Sequence, residues 1–149
     1  MAAIRAPCQA AAVESAISPR LRAVRVLLVD DSAEFLAQAS ALVAATDSAQ
    51  LVDTAASGTE ALALLAGTSV DLVLMDLRLP GLDGLEATSR IKRRGAAAPK
   101  VVIVSLYDGP EYRRAAYAAG ADGLLAKANL GAGFAPLLAS LFARGGSGR

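Results

Sequence analysis

Short apolar runs alternate along the chain with longer stretches in which apolar residues recur at helical spacing. The runs are rich in Val, Leu and Ile, as buried parallel strands are. Between them, apolar side chains recur at i, i+3, i+4 and i+7, the pattern of one helix face, most clearly over 35–43 and 134–142. The predicted strands are Arg25–Asp30, Gln50–Thr54, Val70–Asp76, Lys100–Ser105 and Asp122–Ala126.

Residues that favour helix ends stand at the borders of the predicted helices. Ser57 and Asp83 are each followed three residues later by a glutamate, the spacing of a capping box, and Pro110 suits a first helical position. Successive strand–helix units cross over right-handedly and place helices on both faces of a parallel sheet. The chain is therefore predicted to be a doubly wound, five-stranded α/β domain, a class that binds ligands at the carboxyl ends of its strands.

Polar side chains of complementary chemistry end four of the predicted strands. In chain order they are Asp30 with Asp31, then Asp76, Ser105 and Lys127. Because parallel strands share one carboxyl edge, these side chains are expected to meet there. Clustered carboxylates repel one another, and a bound cation usually neutralises them. Oxygen ligands without His or Cys favour Mg²⁺ or Mn²⁺, and an amine and a hydroxyl beside them suit phosphate.

The composition fits one domain and excludes several kinds of site. The 149 residues, 54% of them hydrophobic, allow one core but are short for two ordinary domains. The net charge of +1 gives no sign of a nucleic-acid or membrane surface, and the apolar runs are far shorter than the about 20 residues of a membrane-spanning helix. Without histidine, no Ser-His-Asp relay or histidine zinc site is available. We therefore expect a soluble, cytoplasmic protein.

Both ends of the chain lie outside the alternating pattern. Residues 1–22 contain two prolines and show no sustained period, so we expect a weakly ordered extension and no signal peptide. Residues 145–149 are rich in glycine and are expected to be a flexible tail or a truncated linker. The domain itself is expected to span residues 23–144.

The order of the acidic pair, Asp76, Ser105 and Lys127 on their strands resembles the receiver domain of two-component response regulators. The glycine-containing stretches after Asp76 and before Lys127 agree with that family. The resemblance implies a flavodoxin-like (βα)5 fold with strand order 2-1-3-4-5. It also implies that Asp76 accepts a phosphoryl group from a phosphohistidine.

Further roles follow from the same resemblance. Asp31 and Asp76 would bind Mg²⁺ directly together with the backbone carbonyl of Arg78, and Asp30 would reach the ion mostly through water. Lys127 and Ser105 would hold the phosphoryl oxygens. Such a domain assists its own phosphorylation but is not an enzyme acting on a separate substrate.

The implied partners are a sensor histidine kinase or a phosphotransfer protein. The resemblance also allows a homodimer through the fourth helix, fifth strand and fifth helix, and it implies that the domain itself contacts neither nucleic acid nor membrane. Leu124 stands where many receivers carry an aromatic side chain that changes rotamer. Ala128, which follows the lysine, makes receivers attached to helix-turn-helix output domains the nearest subgroup.

Three alternatives stay open at this point. The chain is a degenerate receiver that only binds proteins, the receiver half of a DNA-binding response regulator, or a metal-dependent phosphohydrolase with an Asp nucleophile. The hydrolase is disfavoured, because that class usually has a second acid two residues after the nucleophile, where this chain has Arg78.

Overall fold

A five-stranded parallel sheet forms the centre of the domain. In this computed structural model, which describes residues 22–142, the strand order is β2-β1-β3-β4-β5. All neighbouring strands are parallel, so their carboxyl ends meet at one edge. The predicted fold class and strand order are confirmed. The strands are β1 (Val24–Val29), β2 (Ala49–Ala55), β3 (Leu72–Asp76), β4 (Lys100–Ser105) and β5 (Gly123–Ala126).

One helix follows each strand. Two short 3-10 helices, Gly95–Ala97 and Lys127–Asn129, precede β4 and the last helix. No helix within residues 22–142 has the length and apolarity needed to cross a membrane. The α-helices are α1 (Ala33–Ala44), α2 (Gly58–Gly67), α3 (Gly84–Lys92), α4 (Pro110–Ala118) and α5 (Leu130–Phe142).

Two apolar layers, one on each face of the sheet, hold the helices in place. Helices α1 and α5 bury residues such as Val43 and Phe134 in one layer, while α2, α3 and α4 bury residues such as Leu65 and Ile91 in the other. Each such side chain contributes roughly 1.5–3 kcal/mol when it leaves water. Strand β3 is buried along its whole length because it lies between both layers. The residue that ends β3, Asp76, is therefore held by a strand that is buried throughout.

The predicted strand limits are correct to within two residues. Strand β3 begins at Leu72 rather than Val70, and the Asp71 side chain before it accepts the Arg25 N–H at 2.9 Å. Strand β1 ends at Val29 rather than Asp30, because the Asp30 side chain accepts the Ser32 N–H and begins the turn into α1. The predicted extension lies outside the described residues except for Arg22, and the tail at 145–149 lies wholly outside them.

Side-chain caps begin three of the helices. Ser57 and Asp83 are N-caps, as predicted, and each accepts the backbone N–H three residues later. The capping box also requires the glutamate to accept the N–H of the cap residue, and this part of the prediction was wrong at both helices. The Glu60 carboxylate accepts the Ala56 N–H, one residue before the cap, and Glu86 instead pairs with Arg90 one turn along its own helix. Pro110 occupies the first turn of α4, as expected.

Close packing at Gly84 fixes the loop that follows Asp76. The Gly84 N–H donates to the Leu77 carbonyl at 3.1 Å, so α3 begins directly against the end of β3. A Cβ at this position would overlap the Asp76 carbonyl oxygen and lie 3.0 Å from that of Leu77. Both neighbours are backbone atoms, which cannot rotate away as a side chain can. Glycine is therefore required here for space.

Replacing Gly84 with alanine should destabilise the domain by at least about 2 kcal/mol, because the overlap forces α3 away from β3. The matched control is Gly131→Ala in α5, where an added Cβ meets nothing within 4 Å. That control should be neutral or stabilising by up to about 1 kcal/mol, since alanine favours helix. Urea unfolding of the two variants measures both values, and equal stabilities would contradict the packing argument.

Candidate functional site

The chemistry-bearing side chains predicted from the sequence lie together at the carboxyl edge of the sheet. Asp30 and Asp31 follow β1, Asp76 ends β3, Ser105 ends β4, and Lys127 follows β5. These strands include the three central ones, which are neighbours in the sheet. The topology thus brings together residues that are far apart in sequence.

Three carboxylates form the acidic part of the site. One oxygen from each of Asp30, Asp31 and Asp76 lies within 4.8 Å of the others. Asp30 and Asp76 are buried, with exposures of 1% and 7%, whereas Asp31 is exposed. Such a set of hard oxygen donors, without His or Cys, suits a small divalent cation that keeps some of its water.

Lys127 provides a positive charge between two of these carboxylates. Its Nζ lies 2.7 Å from Asp30 Oδ2 and 3.4 Å from Asp76 Oδ1, and the side chain is only 16% exposed. The shorter contact is a charge-assisted pair in which the ammonium lies against a buried carboxylate oxygen. A carboxylate oxygen has more than one acceptor position, so Asp30 Oδ2 can also accept from a water of a bound cation.

The pKa values of Asp76 and Lys127 are both shifted from their ordinary values. Burial raises the pKa of Asp76, the nearby charge of Asp30 raises it further, Lys127 lowers it in part, and the result is about 6 instead of 3.8. Burial lowers the pKa of Lys127, but its contacts with Asp30 and Asp76 outweigh that effect, and the pKa lies above its ordinary value. The lysine is therefore charged at neutral pH, and ionisation of Asp76 costs more free energy than it would in water, a cost that added positive charge would lower.

Ser105 lies beside Asp76 on the neighbouring strand and is buried. Its Oγ accepts the Tyr107 N–H at 3.0 Å, which leaves the hydroxyl hydrogen available to donate to another acceptor. A small cavity brings this hydroxyl, the Asp76 carboxylate and the Lys127 amine to one space. The lining residues are Asp76, Leu77, Arg78, Ser105, Leu106, Tyr107 and Lys127.

Two aromatic contacts at the site were not predicted. The Phe35 ring lies over Lys127, with the Nζ 4.5 Å from the ring centroid. The Tyr107 ring stacks on Tyr112 of α4, with centroids 5.5 Å apart. Sequence reasoning assigned Phe35 only to the buried stripe of the first helix. A usable signal was its position in the first turn of α1, which begins at the same edge of the sheet.

A family model matches most of the chain. Residues 26–132 match the model described as the response regulator receiver domain. The matched range begins in β1 and ends in α5, and it contains every residue of the site described above.

The curated relatives include regulatory proteins of bacteria. The chain is 39% identical over 115 residues to the gliding motility regulatory protein of Myxococcus xanthus, covering 76% of this chain and 14% of that protein. It is 35% identical over 118 residues to response regulator GacA of Pseudomonas viridiflava, covering 79% of this chain and 53% of that protein. The chain therefore spans about half, or much less, of the length of these relatives.

Solved structures share the fold over most of the chain. The signal receiver domain of the putative response regulator NarL from Mycobacterium tuberculosis superposes with a TM-score of 0.75 at 26% identity, covering 83% of this chain and 99% of that one. A LuxR-family two-component response regulator from Aurantimonas gives a TM-score of 0.75 at 31% identity, covering 81% and 86%.

The raised pKa of Asp76 predicts that Asp76→Asn stabilises the cation-free protein at neutral pH by on the order of 1–2 kcal/mol. Between pH 3.8 and about 6 the folded carboxyl keeps a proton that the unfolded one has lost. The wild type therefore loses stability as pH rises through this window, whereas the variant lacks this loss. Urea unfolding in EDTA from pH 4 to 7.5 measures the difference, and a constant gap would contradict the shift.

Proposed function

Because the chain belongs to the response regulator receiver domain family, we propose that it is a phosphoacceptor that receives a phosphoryl group on Asp76. The donor is the phosphohistidine of a sensor histidine kinase or a phosphotransfer protein. The observation that carries the proposal is the cavity itself, where a buried carboxylate with a raised pKa faces an ammonium and an acidic cluster. Strongly perturbed carboxyls of this kind are frequent at functional sites.

The acidic cluster fits Mg²⁺, or Mn²⁺, as the cofactor of this reaction. Three carboxylate oxygens lie within 4.8 Å of one another, and two of the three side chains, Asp30 and Asp76, are buried. Asp31, Asp76 and the backbone carbonyl of Arg78 would hold the ion directly, and Asp30 would reach it through water. When bound, the ion favours the ionised nucleophile and neutralises phosphoryl oxygens.

The protein side chains position the phosphoryl group. A carboxylate oxygen of Asp76 attacks phosphorus, and the new P–O bond forms as the P–N bond of the phosphohistidine breaks, with its electron pair left on the imidazole. The Lys127 ammonium and the Ser105 hydroxyl bind the equatorial oxygens, where negative charge spreads during transfer. The domain thus assists its own modification and does not turn over a separate substrate, so we do not class it as an enzyme.

A contact path from Ser105 to α4 supports a switch in this domain. The Ser105 Oγ accepts the Tyr107 N–H, and the Tyr107 ring stacks on Tyr112. A hydroxyl that turns toward a charged phosphoryl oxygen forms a stronger hydrogen bond than with a neutral acceptor, so the loop from Leu106 must follow it. Leu124, at the place of the usual aromatic, is buried in the core and offers no ring to change rotamer.

The surface that receives this change is the one formed by α4, β5 and α5. Leu106 is 71% exposed at the start of the path and Tyr117 is 51% exposed on α4, so the neighbourhood of the site presents apolar area to a partner. We propose that this surface docks a second copy or another protein after phosphorylation. In a longer, DNA-binding response regulator the domain would be the receiver half and would itself contact no nucleic acid, and its proposed location is the cytoplasm.

Asp76 should be the phosphorylated residue when a phosphohistidine donor, or slowly a small acyl phosphate, is supplied with Mg²⁺. Asp76→Asn should remove the acid-labile label, and EDTA should do the same to the wild type. The matched control is Asp83→Asn, an exposed N-cap carboxyl of α3 outside the cluster, which should keep the label. Label retained in Asp76→Asn would refute the assignment, and a wild type that binds no Mg²⁺ and takes no label would indicate a protein-binding module.

The same preparations should separate the two aspartates of the pair. Asp31→Ala should weaken Mg²⁺ binding far more than Asp30→Ala, because a direct ligand costs more to lose than one that acts through water. The geometry supports this order, since Asp30 already accepts from the Ser32 N–H and contacts Lys127, whereas Asp31 is exposed. Calorimetric titration with Mg²⁺ gives both affinities.

Breaking the tyrosine stack should interrupt the switch without harming the site. In the wild type, Mg²⁺ with beryllofluoride, a phosphoryl mimic, should shift the backbone amide signals of residues 105–118. In Tyr112→Leu the shifts should stop near Tyr107, whereas Tyr117→Leu, a change on the same helix away from the stack, should behave as wild type. Shifts that reach α4 unchanged in Tyr112→Leu would show that the stack is not the route.

A further inference from the structure

Lys127 is held by three neighbours, and only two of them are carboxylates. The third is the face of Phe35, whose centroid lies 4.5 Å from the Nζ. An ammonium at this distance from an aromatic face is attracted by the negative charge of the ring's π system. The attraction is strengthened here because the lysine side chain is largely withdrawn from water, at 16% exposure.

The position of the ring is set by contacts that lead back to the acidic cluster. Asp30 Oδ1 accepts the Ser32 N–H at 2.8 Å, and Ser32, the N-cap of α1, accepts the Phe35 N–H through its Oγ at 3.1 Å. Phe35 in turn faces Lys127, and Lys127 contacts Asp30 Oδ2. These four residues form a closed circuit of contacts between the end of β1, the start of α1 and the end of β5.

We propose that Phe35 is a positioning residue that keeps the Lys127 ammonium aimed into the phosphoacceptor cavity. The proposal rests on the proposed function for its consequence in phosphoryl transfer, but the contact itself is independent of that function. In this proposal the face of the Phe35 ring attracts the ammonium electrostatically, and the ring does not act by packing alone.

The ring is needed because the carboxylates that hold Lys127 belong to the acidic cluster. Asp30 and Asp76 contact the ammonium, and both also supply oxygens to the group that suits a divalent cation. Their negative charge is therefore shared whenever a cation is present. A lysine has a flexible four-carbon stem and a strongly hydrated head, so it tends to turn toward water when its partners weaken. The face of Phe35 cannot be taken up by a metal ion, and it retains the ammonium in either case.

The ordinary alternative is that Phe35 only packs against the apolar layer beneath α1, which it also contacts. Leu36, the next residue of α1, packs against the same layer. Leu36→Ala therefore serves as a control for lost packing on this helix. Phe35→Leu removes the ring but keeps apolar bulk, and Phe35→Tyr keeps the ring and should restore the wild-type behaviour.

The first measurement needs neither metal nor phosphoryl donor. The chain contains three lysines, Lys92, Lys100 and Lys127, so ¹³C-lysine labelling in EDTA gives three sets of side-chain signals. The ε-CH₂ protons of Lys127 should be shifted upfield by the ring current of Phe35. Phe35→Leu should abolish this displacement, whereas Phe35→Tyr and Leu36→Ala should retain it. A Lys127 signal that is unchanged in Phe35→Leu would overturn the proposal.

The second measurement tests the consequence for phosphorylation. With an acyl phosphate and saturating Mg²⁺, Phe35→Leu should lower the rate of Asp76 phosphorylation about three- to tenfold, while Phe35→Tyr and Leu36→Ala stay near the wild-type rate. Phenylalanines with increasing numbers of ring fluorines, placed at position 35, should lower the rate in steps, because fluorine weakens the face without changing the packing much. An equal loss in Leu36→Ala, or no trend with fluorination, would overturn the proposal.

The two measurements distinguish a failure of the proposed function from a failure of the proposed role of Phe35. If the wild type takes no label at all, the phosphoacceptor function is wrong, and the lysine signals still decide whether the ring holds the ammonium. If the wild type is labelled and Phe35→Leu matches it in both rate and Lys127 shift, only the role of Phe35 is wrong.

Discussion

The repulsion among three carboxylates at one edge of the sheet is the constraint on which the site depends. Oxygens of Asp30, Asp31 and Asp76 lie within 4.8 Å of one another, and two of these side chains are buried. Burial raises the pKa of Asp76 and the nearby charge of Asp30 raises it further, to about 6. The packed scaffold holds them there: β3 is buried throughout, and Gly84 lets α3 begin directly against its end.

The positive charge that offsets this repulsion comes from inside the chain. Lys127 contacts the two buried carboxylates and faces Phe35, so its own ammonium occupies the space between β1 and β3. This single charge cannot balance three carboxylates, and burial reduces the screening that water would otherwise provide. The cluster consequently keeps an excess of negative charge, which suits the proposed cation, and the lysine would limit how strongly that cation is held.

Local chemistry explains which parts of the molecule could be predicted from the sequence. Strand ends and the residues on them follow from apolar periodicity together with the shared carboxyl edge of parallel strands, so Asp76, Ser105 and Lys127 could be placed together in advance. N-caps at Ser57 and Asp83 were equally accessible, because a cap depends on backbone only three residues away.

The missed features depend on competition between partners or on tertiary contact. Glu86 has Arg90 within reach on its own helix, and that pair replaced the expected bond to the cap. Asp122 was assigned to a strand, but its carboxylate accepts from both Lys92 and the Val101 N–H just before β5 begins. The helical spacing correctly predicted that Phe35 lies on the buried face of α1. The spacing within one helix cannot show that Lys127, from another part of the chain, lies against the ring.

Charge balance links the acidic cluster to phosphoryl transfer. Three ionised carboxylates and one ammonium have a formal charge of −2, and one divalent cation cancels it. With the proposed cation bound, Lys127 and the cation would compete for the same oxygens. The proposed phosphorylation would replace the charge of Asp76 with about −2 on a larger group, so new oxygens would become available to both positive centres and to the Ser105 hydroxyl. The competition would thereby be relieved, and in the proposed switch Ser105 turns toward the phosphoryl group while the loop bonded to it follows.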